Sequence, residues 1–155
     1  MDLRIDIFKM DEGYYISNER VNAPKQADHC YMIINNNKII FDNYIIGFEI
    51  IENKNKVEFS KDSLIKLFDY DNIEKEIVIR YRKDGDKIVP LGMNGSKKLK
   101  DIFIDLKIPR ENRNNIPILC FDDKISWIVG YKTSQLFKVT KDTKKILKIT
   151  FDRKE

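Results

Sequence analysis

Apolar and polar residues alternate in short runs from the start of the chain. Leu3, Ile5 and Ile7 are separated by charged neighbours, a period of two that predicts a half-buried strand. The runs YYIS, CYMIIN, KIIF, YIIGFEII and KVEF follow, broken by Asn, Gly, Asp and Lys, and predict further strands. Asn35-Asn36-Asn37 lies between two of them and suits a hairpin turn, because asparagine tolerates positive φ and hydrogen-bonds its own backbone. The stretch SKDSLIKLFDYDNI fits helix and strand equally, and a domain boundary is expected at its end, near Ile73.

The pattern changes in the second half. IVIRYR predicts a strand, and Lys83-Asp84-Gly85-Asp86 a turn. Leu99, Ile102, Phe103 and Leu106 follow the i, i+3, i+4, i+7 spacing of a helix with one buried stripe, with Ser96 as its N-cap and Pro109 beyond its end. Pro109 then opens a second short helix, PRENRNN, with Arg110 and Arg113 three apart on one side. PILCF, KISWIVG and KILKITF predict three more strands. The expected class is α+β: β-rich, with a small mixed sheet packed by one or two short helices in the C-terminal half. Residues 1–73 would form an acidic β-rich module and residues 74–155 a basic α+β domain.

Charge sharpens that division. Residues 1–78 hold 10 Lys and Arg against 15 Asp and Glu, net −5, while residues 79–155 hold 19 against 10, net +9. The overall charge of +4 hides this reversal, and a basic half implies a polyanionic partner. The start, MDLRIDIFKM, has no basic n-region followed by an apolar block, and no later apolar run approaches the roughly 20 residues of a membrane span. A cytoplasmic protein without membrane contact is the expectation. Cys30 and Cys120 lie in apolar runs outside any CxxC pair and read as buried reduced thiols.

Few residues suit catalysis. The single histidine, His29, has no recognisable partner, and the pairs Asp69/Asp71, Asp84/Asp86 and Asp122/Asp123 read as turn residues with no metal expected. Trp127 alternates with Ile125 and Val129 and reads as core. Gly92, Gly95 and Ser96 would instead form an anion-binding loop, delivering the backbone to a helix N-terminus whose first turn holds Lys97 and Lys98. The glycine spacing of a Walker A loop is missing, so nucleotide hydrolysis is not supported. The loop resembles the GXXG clamp of KH domains, but that clamp joins two helices, whereas a strand and Pro90 precede this one. Arg80, Arg82, Arg110 and Arg113 extend the basic set to a size suited to a phosphate backbone.

In this order, FDYD (68–71), IRYRKDGDKIVPLGMNGSKKLKDIFID (79–105), KIPRENRNNIPIL (107–119), ISWIVGYK (125–132) and TKKIL (143–147) are similar to the C-terminal region of tRNA(Ile)-lysidine synthetases. These bacterial ligases use ATP to attach lysine to the wobble cytidine of an isoleucine tRNA. The resemblance implies a catalytic N-terminal domain of the PP-loop type, marked by an SGGxDS motif that this sequence does not contain. This chain would then be inactive alone and hold no cofactor, with ATP and magnesium used by the parent enzyme. Its partners would be tRNA(Ile), held on the acceptor-stem side, and that catalytic domain. The resemblance suggests Arg80, Arg82, Lys97, Lys98, Lys100, Lys107, Arg110 and Arg113 as phosphate or groove contacts. Lys132 joins them where the family pattern has arginine, a change that keeps charge but loses the planar two-pronged geometry. A protein–protein interaction or homodimer contact through the same basic face is the alternative.

Overall fold

A computed structural model of the chain describes residues 5–10, 13–17, 33–35, 38–54, 58–74 and 76–153. In chain order the strands are β1 (Ile5–Met10), β2 (Gly13–Ser17), β3 (Ile33–Asn35), β4 (Lys38–Phe41), β5 (Tyr44–Glu52), β6 (Ile65–Asp69), β7 (Glu76–Arg80), β8 (Lys87–Ile88) and β9 (Lys97–Lys98). Helices α1 (Leu99–Asp105) and α2 (Arg110–Arg113) follow, then β10 (Ile118–Phe121), β11 (Lys124–Ile128), β12 (Lys132–Thr133) and β13 (Lys145–Arg153).

The apolar run Ile77-Val78-Ile79 is buried at every position, so β7 must be covered on both faces. It sits inside a six-stranded sheet of order β12-β11-β10-β7-β1-β2. Ile77, Ile79, Leu119, Phe121 and Trp127 face a core shared with Phe48, Phe68, Leu147, Ile149 and Phe151 of a second sheet, of order β3-β4-β5-β13-β6. Val78, Ile118 and Cys120 point the other way, into a smaller core closed by Leu99, Ile102 and Phe103 of α1. Edge-on aromatic pairs join the sheets, with ring centroids 5.1 Å apart for Phe68 and Phe121 and 5.2 Å for Trp127 and Phe151.

The β-rich α+β class stands, but the sheets are not mixed: every described strand pair is antiparallel. The excursion between β7 and β10 carries both helices yet returns the chain beside β7 in the reverse direction, with Ile118 opposite Arg80. The boundary expected at residue 73 falls between β6 and β7, and each of the two large sheets takes strands from both sides of it, while the two-stranded β8-β9 sheet lies wholly after it. Strand β13 runs between β5 and β6, while β1 pairs with β7.

Asp122 and Asp123, at φ 50° and 68°, form the two-residue turn joining β10 and β11, which accounts for this acidic pair. The ambiguous stretch before residue 73 becomes β6 and a 3-10 turn at Tyr70–Asn72 capped by the Asp69 side chain. Glu58 and Phe59 of the KVEF run lie in no strand. The Asn36-Asn37 turn falls outside the described residues, although β3 and β4 on either side pair antiparallel. His29 and Cys30 also lie outside them. None of the described helices is long and apolar enough to cross a membrane.

Candidate nucleic-acid interface

Three segments of the excursion between β7 and β10 converge on one groove of about 650 Å³. The turn after β7 brings Arg82 and Lys83, the start of α1 brings Lys98 and Lys100, and α2 brings Arg110 and Arg113, against Asp84 and Asp86 on the same walls. Local folding sets these positions. Lys87 of β8 pairs with Lys98 of β9, and the Leu99 N–H donates to the Asp86 carbonyl at 2.9 Å, tying the turn to the start of α1. The Arg82 guanidinium donates through Nε to Asn114 Oδ1 at 2.8 Å and lies 5.5 Å from the centroid of the Phe103 ring, which fixes the arginine against α1. Arg113 Nε donates to the Ile108 carbonyl at 2.9 Å, which anchors the guanidinium from its inner end.

Five of the nine cations expected from the sequence, Arg82, Lys98, Lys100, Arg110 and Arg113, thus line one concave surface. The other four do not. Arg80 is bound internally: its two terminal nitrogens donate to the two carboxylate oxygens of Asp86 at 2.9 Å each, and the paired side chains are only 13% and 11% exposed. Lys97 is held by the Asp105 carboxylate. Lys107, at φ 56°, follows α1 outside the groove lining. Lys132 stands exposed on the edge strand β12.

The glycine loop is likewise elsewhere. Lys98, not Ser96, is the N-cap of α1, because pairing with β8 keeps residues 97–98 extended until Leu99, so neither lysine lies in the first helical turn. Gly92, Gly95 and Ser96 are exposed and do not line the groove. The Gly92 N–H is already taken by Gln135 Oε1 at 2.8 Å, and the Leu91 N–H by the Thr133 carbonyl at 3.1 Å, so the loop is fastened to β12 and its following turn. Gly92 itself, at φ 85°, serves the loop's own turn, closed by the Met93 N–H donating to the Pro90 carbonyl at 3.0 Å.

Lys83 and Asn114 are among the groove residues absent from the set expected from sequence. Lys83 directly follows Arg82 and is legible as a cation, but it sits within a turn signal that masks it; Asn114 carries no signal of its own. No group of three or more metal-binding side chains occurs among the described residues. Cys120 is a buried free thiol. Burial, followed by the like charge of Asp71, raises the Asp69 carboxyl above its ordinary value; its oxygen still accepts the Asp71 N–H at 3.1 Å, the bond of a turn residue.

Residues 77–150 match the family model described as TilS substrate C-terminal domain. A tRNA(Ile)-lysidine synthase of Clostridium perfringens (strain ATCC 13124) is 55% identical over 123 residues, covering 77% of this chain and 26% of the relative. The tRNA(Ile)-lysidine synthase of Clostridioides difficile (strain 630) is 36% identical over 151 residues, 96% of this chain and 32% of the relative. The chain thus spans about a quarter to a third of the length of these relatives. Among solved structures, the crystal structure of a TILS C-terminal domain superposes with a TM-score of 0.61 at 29% identity, covering 73% of this chain and 86% of that one. The chain therefore belongs to the tRNA(Ile)-lysidine synthase family, as a C-terminal region carrying the TilS substrate C-terminal domain.

Proposed function

We propose that this chain holds and orients tRNA(Ile) for a tRNA(Ile)-lysidine synthase, while the ATP- and magnesium-dependent ligation of lysine to the wobble cytidine takes place on a catalytic domain outside it. The observation that carries the reading is the groove: six cations from three separate segments face one concavity, against two carboxylates. That excess suits a phosphate backbone. Among the described residues no aromatic side chain lines the groove, which suits the shape and 2′-hydroxyls of an A-form stem better than stacked single-stranded bases. The cytoplasm, where tRNA is modified, is the matching location.

The reading is tested by titrating an unmodified tRNA(Ile) transcript against the chain at several salt concentrations. Lys98→Ala/Lys100→Ala/Arg110→Ala should weaken binding and reduce the salt slope by about one unit for each phosphate no longer neutralised, with the melting temperature nearly unchanged. Equal affinity and slope for the triple variant and the unaltered chain would refute it.

A second reading has one observation in its favour. Glu74, Asp122 and Asp123, against Lys124 alone, line a cleft of about 320 Å³ near Leu136, a net-acidic surface that could receive the basic groove of another copy. Sedimentation at rising concentration separates the two readings: salt-sensitive self-association without RNA binding favours the second.

A further inference from the structure

Asp86 is an acid on a surface built to attract a polyanion, and its surroundings explain why such a residue stands there. Its carboxylate receives both terminal nitrogens of Arg80, and Oδ2 also accepts the Lys83 N–H at 2.7 Å. Its own N–H donates to the Lys83 carbonyl at 3.2 Å, and its carbonyl accepts the Leu99 N–H at 2.9 Å. One residue thus joins the end of β7, the turn that presents Arg82 and Lys83, and the start of α1 that presents Lys98 and Lys100. Arg80 neutralises the carboxylate, and neither side chain of the pair is more than 13% exposed, so its field on the groove is small. Asp84, two positions earlier in the same turn, is an exposed acid of the same groove with no such role: no bond from its side chain is found among the described residues.

We propose that Asp86 is a positioning residue of the groove, holding the cations of two walls at the separation a phosphate backbone requires, whereas Asp84 acts only as a charge. This rests on the tRNA-holding reading above. The two ideas about Asp86 differ in sign. If it acted by charge alone, removing one negative charge would strengthen binding and steepen its salt dependence, as is expected of Asp84. If it acts by position, removing the carboxylate weakens binding and flattens that dependence, because cations lose register with the phosphates.

The test measures binding of the unmodified tRNA(Ile) transcript to the full chain and to Asp84→Asn, Asp86→Asn and Asp86→Glu, across a salt series, with melting temperatures alongside. Asp84→Asn should bind a few-fold more tightly. Asp86→Asn should bind about tenfold more weakly with a salt slope lower by about one unit. Loss of folded protein alone would lower the active fraction but leave the slope of the remainder unchanged. Should Asp86→Asn fail to fold, Asp86→Glu keeps the charge and the Arg80 pair but lengthens the link by one methylene; it should still bind a few-fold more weakly at unaltered net charge. Tighter binding by Asp86→Asn, or unaltered affinity and slope in folded Asp86→Glu, overturns the proposal. Failure of the unaltered chain to bind the transcript overturns the tRNA-holding reading instead.

Discussion

Burial pushes the Cys120 thiol up from 9.0 to about 11, with the nearby Arg80 guanidinium lowering it only in part. Between those two values the unfolded chain has released the proton that the native chain retains. The native state binds more protons over this window, so its stability falls as pH rises from 9 to 11, by about 2 to 3 kcal/mol at the upper end. Urea midpoints at pH 8 and pH 10.5 should diverge more for the unaltered chain than for Cys120→Ala; equal divergence would show that the thiol is not sheltered. The reduced, buried state of Cys120 is legible from its apolar neighbours, as is the core position of Trp127, which is fully buried. The fate of Arg80 is not. Arg80 and Arg82 look equivalent in sequence, but pairing with Asp86 requires the turn of residues 83–86 to fold back onto the end of β7, and only the folded turn shows which arginine is left to face the groove.

At the scale of the element, α1 shows what local periodicity determines and what it leaves open. Leu99, Ile102 and Phe103 are buried as the helical spacing requires, but the helix ends at Asp105, so Leu106 falls at the C-cap and is 36% exposed. Phe103→Ala should cost about 3 to 5 kcal/mol by opening the smaller core, whereas Leu106→Ala should cost less than about 1 kcal/mol, both read from denaturant unfolding. Comparable losses would mean that the stripe continues through Leu106. The start of the helix departs from expectation because two-residue strands carry no readable period: β8 and β9 exist through their pairing with each other, and that pairing overrides Ser96 as a cap. Strand β12 leaves no sequence signal for the same reason.

For the molecule as a whole, the charge reversal between the halves is legible, and so is the abundance of strands. Their arrangement into two large sheets is not, since partners far apart in sequence leave no local trace. The interleaving bears on whether the basic half stands alone. A fragment of residues 74–155 would lose β1 from the side of β7 and both neighbours of β13, exposing Leu147, Ile149 and Phe151. Such a fragment should be poorly folded or aggregated by circular dichroism and gel filtration. A monomer with a cooperative melt at the temperature of the full chain would show instead that residue 73 is a true domain boundary.

The pairing of β5 with β13 sets Tyr44 opposite Arg153 and Glu52 opposite Lys145, residues roughly a hundred positions apart. The conformational entropy of so long a closure is lost before the central ladder returns any energy, so assembly should proceed in milliseconds to seconds, unlike the microsecond collapse of a helical bundle. During that interval the apolar β5 waits without its main neighbour, which makes the early chain a natural client for chaperones.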